Sequence, residues 1–106
     1  MVLSISEIQS LVRPIAKKYQ LRAVYLFGSY ARNEATADSD VDFLIDRTGS
    51  KIKSMFDMGG LYSDLSSIMG KSIDIITTQM LEQESTKVRT PDLVNNVLSE
   101  RISIYE

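Results

Sequence analysis

The chain has 106 residues with 12 basic and 14 acidic side chains, no cysteine and no histidine, which suits a single domain spanning residues 1–106. Without cysteine a disulfide framework or thiolate metal site is excluded, and without histidine any acid–base or metal chemistry must use Asp, Glu, Lys, Tyr or Arg. The net charge of −2 gives no support to a direct nucleic-acid partner, and the absence of a long apolar run or signal-peptide pattern predicts a cytoplasmic protein with no membrane contact.

The first half of the chain predicts a helix, a strand, a short helix and a second strand. Ser4 and Glu7 form a capping-box pattern, and apolar residues then recur every three or four positions as far as Tyr19. Leu21–Phe27 is apolar on both faces, which is typical of an internal strand. The composition of residues 29–35 allows about two helical turns before a polar loop. Val41–Ile45 then reads as another buried strand.

The second half predicts a helix, a strand, a last helix and a short edge strand or tail. Helical spacing from Ser54 to Met69 favours a core stripe made of Met55, Met58, Leu61, Tyr62, Leu65, Ile68 and Met69. Gly59-Gly60 indicates either close packing or a break between two helices, and Gly70 is a helix stop. Ser72–Thr78 alternates like a strand, Thr90-Pro91 starts the last helix, and residues 101–106 end the chain.

Acidic residues flank the second strand. Asp40 and Asp42 are two positions apart, so on a strand they share a face and repel each other unless a cation lies between them. Magnesium prefers such oxygen ligands, and Asp74 on a neighbouring strand completes a site for two ions about 4 Å apart. Asp46, Asp57 and Asp64 compete for the third position, but a carboxylate inside an apolar strand is costly, which favours Asp74.

A Gly-Ser pair ends the first strand. Gly28 permits a sharp turn and close approach of the backbone to a ligand. Ser29 then begins the short helix, whose free N–H groups and hydroxyl suit a phosphate. We expect the two strands to lie in parallel, or in a closely similar arrangement, so that this turn faces the acidic pair.

Each of these residues also has an ordinary structural interpretation. Gly28-Ser29 alone is more often a capped turn. The Asp40–Asp42 pair alone can be a solvated strand entry, and Asp38 is interpreted in that way. Arg32 can be a surface charge that pairs with Glu34 or with an aspartate of the motif, and Asp74 can pair with Lys71. The spacing and strand context together favour the site interpretation.

Gly28-Ser29, then the ten residues from Tyr30 to Ser39, then Asp40-Val41-Asp42 resemble the signature of the DNA polymerase β-like nucleotidyltransferase superfamily. The string "LFGSYAR…SDVDFLID" is most similar to minimal nucleotidyltransferases, and the similarity extends over nearly the whole chain. Asn33 departs from the glycine that many members carry after the arginine, which should affect the loop more than the chemistry.

The resemblance implies a polymerase β-like nucleotidyltransferase fold of the α/β (α+β) class, with a small mixed sheet flanked by helices. It also implies Asp40, Asp42 and Asp74 as catalytic metal ligands for Mg²⁺, with two ions expected. Gly28 and Ser29 would bind the triphosphate of ATP, with Arg32 nearby.

Minimal nucleotidyltransferases of this kind are typically paired with a HEPN-domain RNase toxin. The resemblance therefore implies an antitoxin that forms a hetero-oligomer with its toxin and transfers AMP from ATP to a toxin tyrosine. Larger relatives carry extra domains for the acceptor, so we expect the acceptor to lie off this chain. Two alternatives stay open: a nucleotidyltransferase that modifies an antibiotic, and an antitoxin that acts by binding alone.

Overall fold

The computed structural model describes residues 2–80 and 101–106, in which a helix followed by two strands occurs twice. The elements in chain order are α1 (Ile5–Tyr19), β1 (Ala23–Phe27), β2 (Val41–Asp46), α2 (Met55–Met69), β3 (Ile73–Thr77) and β4 (Ile102–Tyr105). The helix expected to start at Thr90-Pro91 lies outside the described residues.

Helix α1 begins with the capping box that its sequence predicts. The Ser4 hydroxyl accepts the Glu7 backbone N–H at 3.0 Å, and the Glu7 carboxylate accepts the Ser4 N–H at 3.0 Å. These two bonds satisfy donors that the start of a helix leaves free. The helix continues without interruption through Pro14 and buries Ile8 and Val12 in the core.

Helix α2 is one continuous helix from Met55 to the Gly70 stop, so the interpretation of Gly59-Gly60 as a break is wrong. Gly60 is where α2 approaches α1, because a Cβ atom added there would lie 3.2 Å from the Tyr19 hydroxyl oxygen. Close packing at Gly60 is therefore confirmed.

The expected core stripe of α2 is wrong at its margins. Leu61, Leu65 and Met69 are buried, but Met55 is 86% exposed and Ile68 46% exposed. At about 100° per residue the proposed stripe spans about 140° of the helix surface, which is wider than a single packing face needs. The residues at its two margins therefore extend past the core into solvent.

The four strands form one mixed sheet in the order β3-β2-β1-β4. Strand β1 pairs antiparallel with both β2 and β4, whereas β2 pairs parallel with β3. The mixed sheet and the edge strand at the end of the chain are confirmed. The parallel arrangement expected for the first two strands is wrong, with consequences for the site.

The two faces of the sheet carry different residues. Val41, Phe43 and Ile45 point into the core against α1 and α2, whereas Leu44 belongs to a second apolar cluster with Phe27. Because side chains alternate along a strand, Asp42 shares the face of Leu44. Within the described ranges, no helix is long and apolar enough to cross a membrane.

Candidate active site

Antiparallel pairing brings the Gly-Ser turn to the acidic pair. Phe27, the last residue of β1, is the register partner of Asp42, near the start of β2. In a parallel pair the end of β1 would lie beside Asp46 at the end of β2, four residues and roughly 13 Å from Asp42 at about 3.3 Å per residue. The direction of β1 therefore allows residues 28 and 42 to meet.

Gly28 packs its backbone directly against the carboxylate of Asp42. A Cβ atom at position 28 would overlap Oδ2 of Asp42 and lie 3.2 Å from its Cγ. Gly28 also has φ +74°, a left-handed conformation that L side chains rarely adopt. Two independent requirements, space and backbone conformation, thus select glycine here.

Residues 28–34 form one tight turn instead of the expected two-turn helix. The Arg32 N–H donates to the Gly28 carbonyl at 3.1 Å, and the Glu34 N–H donates to the Ser29 carbonyl at 2.9 Å. Asn33 ends the turn at φ +59°, and its N–H donates to the Tyr30 carbonyl. This is the hydrogen-bond pattern of a Schellman motif, which favours glycine or asparagine at that position.

A single turn lacks the dipole of a long helix, so the anion site expected at Ser29 depends on local donors. In the described part of the chain, the backbone N–H groups of Ser29, Tyr30 and Ala31 donate a hydrogen bond to no acceptor. Successive N–H groups in a turn form an anion-binding concavity. The Ser29 hydroxyl adds a further donor at the same place.

Asp42 and Asp74 are register partners on the parallel strands β2 and β3. The Val41 N–H donates to the Ser72 carbonyl at 3.1 Å, which fixes the two strand starts together. Asp42 is half-buried, whereas Asp40 and Asp74 are exposed. Asp74 is therefore not the buried carboxylate that its apolar strand predicted, and its register with Asp42 brings it to the site.

The carboxyl of Asp42 carries the electrostatic effect of this arrangement. Burial, followed by the negative charges of Asp74 and Asp40, raises the pKa of Asp42 to about 6. The charge of Arg32 acts in the opposite direction. Arg32 also forms the ion pair with Glu34 that its sequence suggested, at 2.6 Å. The same side chain therefore both pairs with Glu34 and lowers the pKa of Asp42.

The competing acids each have a structural partner away from this cluster. Asp46 accepts the Thr48 N–H at 3.0 Å, Asp57 accepts the Lys53 N–H at 3.0 Å, and Asp64 accepts the Tyr19 hydroxyl at 2.7 Å. These bonds leave Asp74 as the third acid beside Asp40 and Asp42. Lys71, its suggested partner, donates from Nζ to the Ala37 carbonyl at 2.9 Å.

The donor set suits a hard divalent cation. Across residues 2–80 and 101–106, no three acidic side chains already converge on one point. Magnesium needs only one or two protein carboxylates beside water and phosphate oxygens. Burial and then the negative charges of Asp74 and Asp40 raise the pKa of Asp42, and a bound cation would offset both effects, so the residues fit such an ion.

Tyr30 is a site-adjacent residue that sequence reasoning passed over. Its side chain is 3% exposed and belongs to the main core, and its hydroxyl has no hydrogen-bond partner among the described residues. The ring therefore anchors the turn that carries Ser29 and Arg32. The sequence feature that could have revealed Tyr30 is its aromatic ring directly after Gly-Ser, because a solvated turn would favour a polar residue there.

Comparison with known proteins identifies the family. The family model described as "Polymerase beta, Nucleotidyltransferase" matches residues 10–106. The chain belongs to this nucleotidyltransferase family. The resemblance stated from the sequence, and the fold class that it implies, are thereby confirmed.

Several relatives of this family match nearly end to end. A Methanocaldococcus jannaschii protein, MJ0435, provisionally named a protein adenylyltransferase, is 30% identical over 102 residues, covering 96% of this chain and 99% of that protein. Protein adenylyltransferase MntA of Thermococcus cleftensis is 29% identical over 97 residues, covering 88% and 96%.

Solved structures share the fold. A structure provisionally described as a minimal nucleotidyltransferase has a TM-score of 0.67 at 25% identity, covering 94% of this chain and 95% of that chain. A toxin–antitoxin crystal structure with AMP-PNP has a TM-score of 0.64 at 19% identity, covering 92% and 72%.

Proposed function

We propose that this nucleotidyltransferase is a magnesium-dependent protein adenylyltransferase that acts as an antitoxin. It transfers AMP from ATP to a tyrosine hydroxyl of a cognate HEPN-domain RNase toxin and thereby neutralises the toxin. The observation that carries the proposal is the packing of Gly28 on the carboxylate of Asp42, with Asp74 in register beside it. A turn suited to phosphate and a cluster suited to metal thus meet at one point.

The donor half of the reaction uses the Gly-Ser turn. Gly28 lets the triphosphate approach the backbone closely, and the leading N–H groups with the Ser29 hydroxyl bind its oxygens. Arg32 adds positive charge near the same carboxylates. Asp40, Asp42 and Asp74 would hold the magnesium ions, two in number, which supply charge neutralisation and lower the pKa of the acceptor hydroxyl.

The transfer step itself is a displacement at phosphorus. A lone pair of the tyrosine oxygen forms a bond to the α-phosphorus of ATP, and the bond from that phosphorus to the oxygen bridging to the β-phosphate breaks. The bonding electrons leave with pyrophosphate. The phenolic proton passes to the carboxylate of Asp74, which is exposed and can release it to water.

The names of the relatives support a protein as the acceptor, because proteins matched over most of their length are named protein adenylyltransferases. The choice of a HEPN toxin rests on the resemblance of the sequence to minimal nucleotidyltransferases. A hetero-oligomer with that toxin in the cytoplasm, where ATP is available, is part of the proposal.

The test is transfer of label from ATP labelled at the α-phosphate to the candidate toxin encoded by the adjacent gene, in the presence of magnesium. We expect label on a toxin tyrosine with the natural chain and none with Asp40→Ala plus Asp42→Ala. Asp38→Ala, a change of an exposed acid in the same loop, is the matched control and should transfer normally.

The outcomes separate the alternatives. Transfer that survives the double aspartate substitution contradicts the proposed site. Neutralisation of the toxin without any transferred label favours an antitoxin that acts by binding alone. Label that appears on a hydroxylated antibiotic, and not on the protein, favours the small-molecule enzyme.

A further inference from the structure

A cavity of about 600 Å³ opens between the first half of α2 and β3. Its wall includes Met55, Met58, Tyr62, Asp74, Ile75 and Met80. In the sheet order β3 is an outermost strand, so this cavity lies at the edge of the sheet. Its volume is in the range of about 300–1,000 Å³ that is typical of ligand pockets.

The apolar part of the wall is unusually open to solvent. Met55 is 86% exposed, Met80 49% and Tyr62 45%. Methionine adapts its shape to a partner and makes favourable contacts with aromatic rings, which is why it recurs at surfaces that bind protein segments. A flexible apolar wall of this kind suits an aromatic side chain with apolar neighbours.

Two cations belong to the cavity lining. Arg47 is held by a hydrogen bond from its guanidinium to the Ile52 carbonyl at 3.2 Å, and Lys53 is exposed. Among the lining residues that the structure describes, Asp74 is the one acid beside two cations, so this part of the wall has a net positive charge. Charge complementarity therefore favours a segment that carries acidic residues beside its apolar ones.

Asp74 is the residue that the cavity wall shares with the candidate active site. Asp74 lies in the cavity wall and is also the register partner of Asp42, against which Gly28 packs. A second cavity, of about 410 Å³, lies beside Asp40 and is lined by Asp38, Ser39 and Lys71 among others, so it is more polar. An aromatic acceptor thus finds its complementary surface on the Asp74 side.

We propose that the 600 Å³ cavity is the acceptor groove of the enzyme. It receives a segment of the partner protein that presents an aromatic hydroxyl to the site at Asp74 and has acidic residues nearby. The inference rests on the proposed function and adds to it the surface by which the acceptor is bound.

The first test compares two neighbouring residues of α2. Met55 lines the groove, whereas Phe56, which is 89% exposed, does not. Met55→Glu places a charge where the apolar acceptor segment would be buried, so the KM for the toxin should rise roughly tenfold or more. Phe56→Glu places the same charge one residue away and should leave that KM unchanged. Neither exposed residue supports the core, and the KM for ATP should be unaffected by both changes.

The second test concerns charge. Lys53→Glu should weaken binding of the acidic acceptor segment and reduce the salt dependence of transfer. Lys51→Glu is the matched control, because Lys51 is also exposed and does not line the groove.

The results distinguish failure of the groove from failure of the function. A selective rise in the toxin KM for Met55→Glu and Lys53→Glu supports the groove. Normal transfer by both variants, or equal loss in Phe56→Glu, overturns the groove while leaving adenylyl transfer intact. If the natural chain binds magnesium and ATP but transfers no label to the toxin, the proposed function fails and the groove assignment fails with it.

Discussion

At position 28 a single residue joins the two halves of the candidate site. Its left-handed backbone turns the chain out of β1, and its missing side chain leaves room for the Asp42 carboxylate. Sequence reasoning assigned Gly28 to the approach of a ligand. The structure adds that the nearest neighbour requiring that space is a carboxylate of the site itself.

Replacing Gly28 with alanine should therefore damage both fold and activity. The left-handed conformation costs an L residue about 1–2 kcal/mol, and displacement of the Asp42 carboxylate should lower adenylyl transfer by about 100-fold. Gly49→Ala is the control, since Gly49 has φ +70° with nothing within 4 Å of an added Cβ. Chemical unfolding and transfer rates measure the two effects. Equal activity in the two variants would contradict the packing of Gly28 on Asp42.

The ionisation of Asp42 should make the stability of the protein depend on pH. The folded pKa of Asp42 is raised to about 6 by burial, then by Asp74 and Asp40, above an ordinary value of 3.8. The neutral carboxyl stabilises the fold fully below that ordinary value, and this stabilisation is lost as the pH rises through about 6. With solvent screening of this half-exposed group, the loss is of the order of 1 kcal/mol.

Magnesium should offset that loss, so its effect on the unfolding midpoint should be larger near pH 7.5 than near pH 5. Thermal unfolding with and without magnesium at the two pH values measures this effect. Asp42→Asn removes the titrating group and should remove most of the difference. A magnesium shift that is independent of pH, or that persists in Asp42→Asn, would show that Asp42 is not a ligand.

At the scale of elements, local sequence patterns predicted the ends of helices, but they did not predict the direction in which strands pair. The capping box at Ser4 and the stop at Gly70 are local interactions, so their residues alone reveal them. The antiparallel pairing of β1 with β2 depends on the whole sheet, and no short pattern encodes it. The composition of residues 29–35 predicts two helical turns, but Asn33 adopts a left-handed conformation that ends the turn early.

For the candidate site, too, the sequence predicted the local features and not those that depend on the whole fold. The spacing of Asp40 and Asp42 predicted an acidic pair at the start of β2, but the contact of Gly28 with Asp42 depends on the antiparallel pairing of β1 and β2, which the sequence did not reveal. The exposure of Asp74 and Met55 was not predictable, because it depends on which edge of the sheet and which margin of α2 remain uncovered.

The contact between the two helices gives an element-scale prediction. Gly59→Ala should stabilise the protein by about 0.5–1 kcal/mol, because alanine favours a helix and nothing lies within 4 Å of the new Cβ. Gly60→Ala should gain less or lose stability, since its Cβ lies 3.2 Å from the Tyr19 hydroxyl, which donates to Asp64. Urea unfolding of the two variants compares them. Equal stabilisation would contradict the close approach of the helices at Gly60.

At the scale of the whole molecule, one mixed sheet brings three separate chain segments together. Antiparallel pairing delivers Gly28 to Asp42, and parallel pairing delivers Asp74 to the same residue. The two described helices cover the opposite face, so the site is formed where strand ends meet. The proposed acceptor groove begins at Asp74, which gives the donor and the acceptor separate approaches to one point.

We propose that this point transfers AMP to a protein. The most direct measurement incubates the chain with its candidate toxin, magnesium and ATP labelled at either the α- or the γ-phosphate. We expect the α-label to become bound to a toxin tyrosine and the γ-label to leave as pyrophosphate, and we expect neither label on the toxin with the Asp40→Ala, Asp42→Ala variant. Label transferred from the γ-phosphate, or no transfer by a chain that binds magnesium and ATP, would contradict it.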